Sequence, residues 1–123
     1  MTELERKIRK ELIRIVKIGD ENKIFIRYTP LADKFEISYP QDNEYERGLF
    51  HDMLCHISEY EGAQGRPMLS AIVVNEEHKP GPGFFSLAKE LHRKRFDEDP
   101  DAFYLREIRA LLDYWKNHDD PDR

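Results

Sequence analysis

The side chains with the greatest chemical potential lie mid-chain, where His51 and Cys55 are four positions apart. On a helix this spacing places both on one face, as two ligands of a zinc ion would require. Asp52 and His56 lie beside them. A closed site needs three or four ligands, and His78 is the one loop histidine that could supply a further ligand. The isolated pair therefore predicts no metal site, and no motif indicates a cofactor.

Catalysis has little support in the residue pattern. Ser70 lies in an apolar run and not on a Gly-x-Ser-x-Gly turn. Acidic neighbours would raise the pKa of the Cys55 thiol and blunt it as a nucleophile. A pocket of His51, His56 and Arg66 could hold a small anion, although no spacing requires one. We therefore predict no catalytic residues and no enzyme, with a small enzyme built on this His/Arg pocket as the weaker alternative.

Two groups of cations could contact phosphate. The first covers the polar face of the first predicted helix and consists of Arg6, Lys7, Arg9, Lys10, Arg14 and Lys17. The second is predicted to gather beside a glycine-proline loop and consists of Arg66, Lys79, Lys89, Arg93, Lys94 and Arg95. Phosphate contacts of this kind set affinity without reading sequence. The simpler explanation of either group is a solvated helix face.

The longer helix in the middle of the chain has an acidic outer face. Three carboxylates stand there against one arginine, which is a poor surface for a phosphate backbone and argues against base readout. The same face could instead meet a basic protein. The predicted partner-binding residues are Glu44, Arg47, His51, Asp52 and Glu59.

Composition limits the class of protein. The 123 residues fit one domain, and an aromatic share of 11% supplies a core despite 37% charged residues. The net charge of −5 would repel nucleic acid, so binding would need a local basic patch. The charged N-terminus lacks a signal peptide, no run is long enough for a membrane span, and a lone cysteine favours a reducing cytoplasm.

Local patterns predict the elements that position these side chains. Thr2 and Glu5 form a capping box for a helix to residue 18. Residues 23–28 alternate as a strand, and Thr29-Pro30 starts a short helix. A longer helix begins after Asn43 and extends to about residue 60.

The second half of the chain is predicted as a hairpin and two helices. The apolar run in residues 66–75 is interpreted as a buried strand, and Phe84-Phe85 as a short return strand after Pro80-Gly81-Pro82-Gly83. Ser86 could cap one helix, and Asp99-Pro100 starts the last. The last helix carries an apolar stripe that ends at Trp115, which we assign to the core, with a homodimer or partner surface as the alternative.

This order of elements resembles a winged helix-turn-helix domain. The segment Tyr28-Thr29-Pro30-Leu31-Ala32 is similar to the start of the second helix in such domains, and residues 65–85 would be the wing hairpin. The pattern G-R-P-M-L-S-A…P-G-x-G-F-F also resembles uncharacterised small bacterial proteins. The connection 35–43 is long for a tight turn and contains Pro40.

The resemblance implies an α+β fold in which helices pack on a small antiparallel β-hairpin, with an added C-terminal helix. We expect one winged-helix-like domain over residues 1–117 and a polar tail over 118–123. The implied function is a non-catalytic module that contacts DNA or RNA through the basic patch near the wing. A protein-interaction subunit that uses the acidic face of the middle helix is the alternative, and no membrane partner is expected.

Overall fold

A parallel pair of two-residue strands ties the two halves of the chain together. Ile26 pairs with Val73 and Arg27 with Val74 in the computed structural model, which describes residues 1–122 and leaves Arg123 of the predicted tail outside. Within those residues the fold is α+β, with five helices. The elements are α1 (Glu3–Ile18), β1 (Ile26–Arg27), α2 (Tyr28–Lys34), α3 (Glu44–Ala63), β2 (Val73–Val74), α4 (Phe84–Glu90) and α5 (Pro100–Asn117).

The predicted antiparallel hairpin is wrong. Leu69–Ile72 forms a 3-10 helix and only Val73–Val74 continues as a strand, which pairs in parallel with β1. The apolar residues of the run are all buried, so they lack the alternation that separates a strand from a buried helical turn. A single antiparallel bridge, between Val74 and Pro80, closes the loop that follows.

The predicted return strand at Phe84-Phe85 is also wrong, because these residues begin α4. Gly83 precedes them with a φ of 81°, a left-handed conformation that glycine adopts without strain. The chain therefore turns directly into a helix, two residues before the predicted cap at Ser86.

Three side-chain caps start the long helices where the sequence predicted. Thr2 and Glu5 form a complete capping box on α1, with hydrogen bonds of 2.8 and 3.1 Å. Asn43 accepts from the Glu46 amide on α3, and Asp99 accepts from the Ala102 amide on α5. The predicted bounds are close for all three, although α3 extends to Ala63.

The core lies between α1, α3, α5 and the 3-10 helix, which pack on one another. Trp115, Phe103 and Phe50 are its largest fully buried aromatic side chains. The stripe on α5 is therefore core, as predicted for Trp115. None of the helices in residues 1–122 is long and apolar enough to cross a membrane.

Candidate functional site

The outer face of α1 surrounds a hollow of about 500 Å³. Arg6, Lys7 and Lys10 line it, because residues three and four apart on a helix project from the same side. Tyr60, from the last turns of α3, supplies an aromatic ring, and Arg9 also lines the hollow. The site therefore combines exposed cations with an aromatic ring, a buried arginine and two carboxylates, those of Glu3 and Asp122.

Three exposed cations of the hollow form no direct bond to another described residue. Within residues 1–122, Arg6, Lys7 and Lys10 are exposed and form no ion pair or hydrogen bond through their side chains. Their neighbours on α1 differ, since Arg14 binds Glu11 at 2.7 Å and Lys17 donates to the His118 carbonyl at 2.7 Å. The charge of the first three is therefore available to a ligand.

Beneath the hollow lies a buried cluster of two arginines and one carboxylate. Arg9 is 2% exposed, and its Nε donates to Glu61 Oε2 at 3.2 Å. Arg66 Nη2 donates to the same oxygen at 2.8 Å. Glu61 is fully buried, so charges from α1, α3 and the segment after α3 meet without solvent. This cluster fixes α1 against α3 and so fixes the position of the hollow.

Two aromatic rings enclose the arginines of the cluster. The Arg9 guanidinium lies 5.3 Å from the Tyr60 ring centre and 5.8 Å from that of Trp115, and Arg66 lies at 5.6 and 5.8 Å. Contacts of this kind favour a cation. The Nη2 atom of Arg9 has no hydrogen-bond partner among residues 1–122. Because every buried donor favours an acceptor, Arg9 keeps one hydrogen-bond donor unused.

Three of the six residues of the predicted basic patch are held inside the protein. Arg66 is held by Glu61, and Arg93 Nη2 donates to the buried carboxylate of Glu107 at 2.8 Å. Lys94 is 6% exposed, and its Nζ donates to the Glu98 carbonyl at 2.7 Å. These three side chains therefore have structural partners and do not present free charge.

The other three residues of the predicted patch are exposed. Lys79 lies in the loop after β2, and Lys89 Nζ lies 5.4 Å from the centre of the Phe96 ring. Arg95 pairs with Asp97 at 3.8 Å on the surface. The structure thus leaves Lys89 and Arg95 as the cations that a ligand near α4 could use.

The predicted partner-binding residues separate into two groups. Asp52 and Glu59 are exposed, and they line a hollow of about 280 Å³ with Glu90 of α4. Glu44 is exposed at the start of α3. Arg47 instead folds back to donate to the Pro40 carbonyl at 2.9 Å. The acidic surface therefore contains Asp52 and Glu59 and gains Glu90, which no sequence pattern indicated because Glu90 is distant in the chain.

His51 belongs to a polar and aromatic cluster that the sequence did not indicate. Its Nε2 lies 2.9 Å from the Tyr39 hydroxyl, and its ring lies 4.5 Å from that of Tyr28. Burial lowers the pKa of His51 and Arg47 lowers it further, which favours the neutral form of the ring beside the Tyr39 hydroxyl. Tyr39 lies between α2 and α3, and no spacing rule connects it to a helix residue twelve positions away.

The His/Arg pocket is not assembled. His51 contacts Tyr39, His56 Nδ1 lies 2.6 Å from Glu5, and Arg66 is held by Glu61. These partners belong to different parts of the surface and core. Among residues 1–122, no group of three or more His, Cys, Asp or Glu side chains is arranged to hold a metal ion.

Comparison with known proteins finds no family model, no curated protein and no solved structure that matches the chain.

Proposed function

We propose that the protein is a non-catalytic module that binds nucleic acid through the exposed cations of α1. The observation that carries the proposal is that Arg6, Lys7 and Lys10 line one hollow and form no ion pair or side-chain hydrogen bond with any residue from 1 to 122. A local group of this kind is what a chain with a net charge of −5 needs in order to attract a polyanion. The single cysteine favours the reducing cytoplasm as its compartment.

The spacing of the cations suits a phosphate chain. An α-helix rises about 1.5 Å per residue, so Arg6 and Lys10 are about 6 Å apart along the axis. Lys7 lies between them and turns toward the same side. Flexible side chains at this spacing could each reach a different phosphate. Contacts of this type set affinity and register and do not read bases.

Only the helical part of the winged-helix resemblance supports this proposal. The order α1, α2, α3 fits the helical part of such a domain, but the wing of the resemblance is not part of this proposal. The exposed Asp52 and Glu59 on α3 would repel a phosphate backbone. We therefore assign the contact to α1 and not to α3 as a recognition helix.

Salt-titrated binding tests the proposal. The probes are a labelled DNA duplex of about 20 base pairs, which is two helical turns, and an RNA strand of similar length. The double variant Lys7→Glu/Lys10→Glu should weaken binding by at least about tenfold and reduce the slope of log Kd against log salt by about two. The matched control is Lys89→Glu/Arg95→Glu, which changes the net charge by the same amount at the earlier predicted patch.

The control separates two locations of the contact. If the α1 variant binds like wild type and the α4 variant does not, the interface lies at α4. If wild type binds neither probe at low salt, or binds without a salt slope, the nucleic-acid proposal is wrong. Charge reversal at Arg93 would be an unsuitable control, because it would leave the carboxylate of Glu107 buried without its partner.

A second candidate is a protein-interaction subunit that uses the acidic surface between α3 and α4. Asp52, Glu59 and Glu90 come from two helices and line the same hollow. Burial raises the pKa of the Cys55 thiol there, and the three carboxylates raise it further. The convergence of negative charge favours a basic partner.

Co-purification from the native host tests this candidate. A defined partner should be retained at moderate salt by wild type and lost by the triple variant Asp52→Asn/Glu59→Gln/Glu90→Gln. The control variant Asp42→Asn/Glu76→Gln/Glu77→Gln removes the same charge from exposed loops. Equal retention by both variants would contradict the acidic surface as the interface.

A further inference from the structure

The segment after α5 returns to α1 and reaches the cationic hollow. Lys17 holds the carbonyl of His118 at 2.7 Å, which directs the chain along α1. Arg9 Nη1 then contacts Asp120 Oδ1 at 3.0 Å. Finally, Tyr60 donates its hydroxyl hydrogen to Asp122, which is one of the residues that line the hollow.

The end of this segment is held as a compact acidic turn. The Asp122 amide donates to Asp120 Oδ1 at 3.1 Å across Pro121. Asp120 is largely enclosed, with 10% of its side chain exposed, whereas Asp122 is 45% exposed. The hydrogen bond from Tyr60 lowers the pKa of Asp122, and Arg9, Arg66 and Arg6 lower it further. Asp122 therefore presents a carboxylate anion beside the groups that a phosphate would use.

We propose that residues 118–122 are an intramolecular competitor, whose Asp122 carboxylate occupies one phosphate position of the α1 hollow until nucleic acid displaces it. This inference rests on the proposed function of the hollow. It adds that the free protein covers part of its own binding surface. A ligand with several phosphates gains more contacts than the single carboxylate it removes, so displacement is favourable.

A phosphate ligand can displace the two aspartates with different ease. The Asp122 side chain is 45% exposed, and exposed ionic contacts contribute little to stability, so Asp122 can leave the hollow at little cost. Asp120 faces the nearly buried Arg9, and loss of that partner would leave a buried cation less well satisfied. Displacement is therefore confined to Asp122 and the end of the segment, while Asp120 keeps its contact with Arg9.

A single neutral substitution tests the competition. Asp122→Asn keeps an acceptor for Tyr60 and removes the charge, so the fold should be unchanged. We expect the variant to bind the labelled DNA duplex roughly fivefold more tightly than wild type at low salt, a typical lower value for coupling between two sites. The matched control Asp42→Asn removes the same charge from an exposed loop and should leave Kd near the wild-type value.

Hydrogen exchange of the wild-type protein gives a second measurement. The Asp122 amide is protected by Asp120 in the free protein, so saturating duplex should accelerate its exchange. The amides within α5 should not change. Slower or unchanged exchange at Asp122 in the complex would show that the segment stays in place, which overturns the inference.

The possible failures are distinguishable. If wild type binds the duplex and Asp122→Asn binds no more tightly than Asp42→Asn, the competitor role is wrong and the function of the hollow stands. If none of the three proteins binds DNA or RNA, the proposed function fails and the competitor role fails with it. If only Asp122→Asn binds, both proposals are supported, because the segment then masks the site completely.

Discussion

Gly81 occupies a position where a side chain would collide with its neighbours. A Cβ atom there would lie 2.1 Å from the Tyr28 hydroxyl oxygen and 2.9 Å from Cε1 of His51. Both rings belong to the cluster around Tyr39 and cannot move independently. The glycine thus permits the loop after β2 to close against α3.

Alanine substitutions test this requirement at two glycines. Gly81→Ala should lower the free energy of unfolding by about 1–3 kcal/mol, the usual cost of overpacking. Gly48→Ala, within α3 and with no atom near its added Cβ, should raise it by about 0.5–1 kcal/mol because helix interiors disfavour glycine. Urea denaturation followed by the fluorescence of the buried Trp115 measures both, and equal effects would contradict the close approach at Gly81.

Cys55 should be a slow nucleophile. Burial raises the pKa of its thiol above the ordinary 9.0, and Asp52, Glu59 and Glu90 add to the increase. The rate of alkylation by iodoacetamide should therefore rise only above about pH 9, because the thiolate is the reactive form. Asp52→Asn/Glu59→Gln should shift this profile to lower pH, while Glu44→Gln should not. An unshifted profile would mean that burial alone controls the thiol.

At the scale of elements, Glu61 connects α1, α3 and the segment that follows α3. Replacement by glutamine leaves Arg66 buried without a counter-charge and leaves Arg9 with only its ion pairs to the segment after α5, and breaking a buried pair typically costs about 3–5 kcal/mol. Glu11→Gln, which removes two ion pairs with exposed partners, should cost less than about 1 kcal/mol. Thermal unfolding of the two variants measures the contrast, and a cost at Glu61 as small as at Glu11 would show that the cluster is not essential.

The contact between α1 and α3 also predicts a pH dependence through Glu5 and His56. The hydrogen bond with Glu5 raises the pKa of His56, despite an opposing effect of burial. Burial would raise the pKa of Glu5, but hydrogen bonds from the Thr2 amide and His56 lower it overall. The contribution of His56 to stability is complete below the ordinary histidine pKa of 6.5 and is lost as pH rises through the higher pKa of the folded state. The contribution of Glu5 to stability is present above the ordinary glutamate pKa of 4.5 and is lost as pH falls through the lower pKa of the folded state.

The difference in unfolding free energy between wild type and His56→Gln should therefore be largest between about pH 4.5 and 6.5 and should shrink on either side. Chemical denaturation across this range measures the difference. His92→Gln is the control, since its exposed side chain carries no contact within residues 1–122. A difference that grows above pH 7 would contradict the ion pair.

Local signals made the long helices predictable from sequence. The caps Thr2, Asn43 and Asp99 act within three residues, so their meaning does not depend on the rest of the fold. The segment 66–75 has no such signal. Its conversion to a 3-10 helix depends on packing against α1, α3 and α5, which no local pattern encodes.

At the scale of the whole molecule, ion pairs with residues distant in sequence determine which cations stay exposed. The sequence shows two basic groups but cannot show that Glu107 holds Arg93 or that Glu61 holds both Arg9 and Arg66. Folding therefore pairs at least three cations of each group with internal partners. On α1 it leaves Arg6, Lys7 and Lys10 exposed together along one hollow. Part of the acidic surface between α3 and α4 was predictable from the sequence, because Asp52 and Glu59 share a helix. Glu90 joins them only through the packing of α4 on α3.

The packing of α1 on α5 also has a consequence for synthesis in the cell. Of the elements described here, the ribosome synthesises α1 first and α5 last. The buried face of α1, which includes Ile8 and Leu12, therefore lacks its contact with α5 until α5 has been made. Until Trp115 has left the exit tunnel, the nascent chain carries an apolar helix face without its partner. Domains generally fold as units during translation, and such exposed faces are where chaperones act. We therefore expect this chain to reach its native state only after α5 emerges.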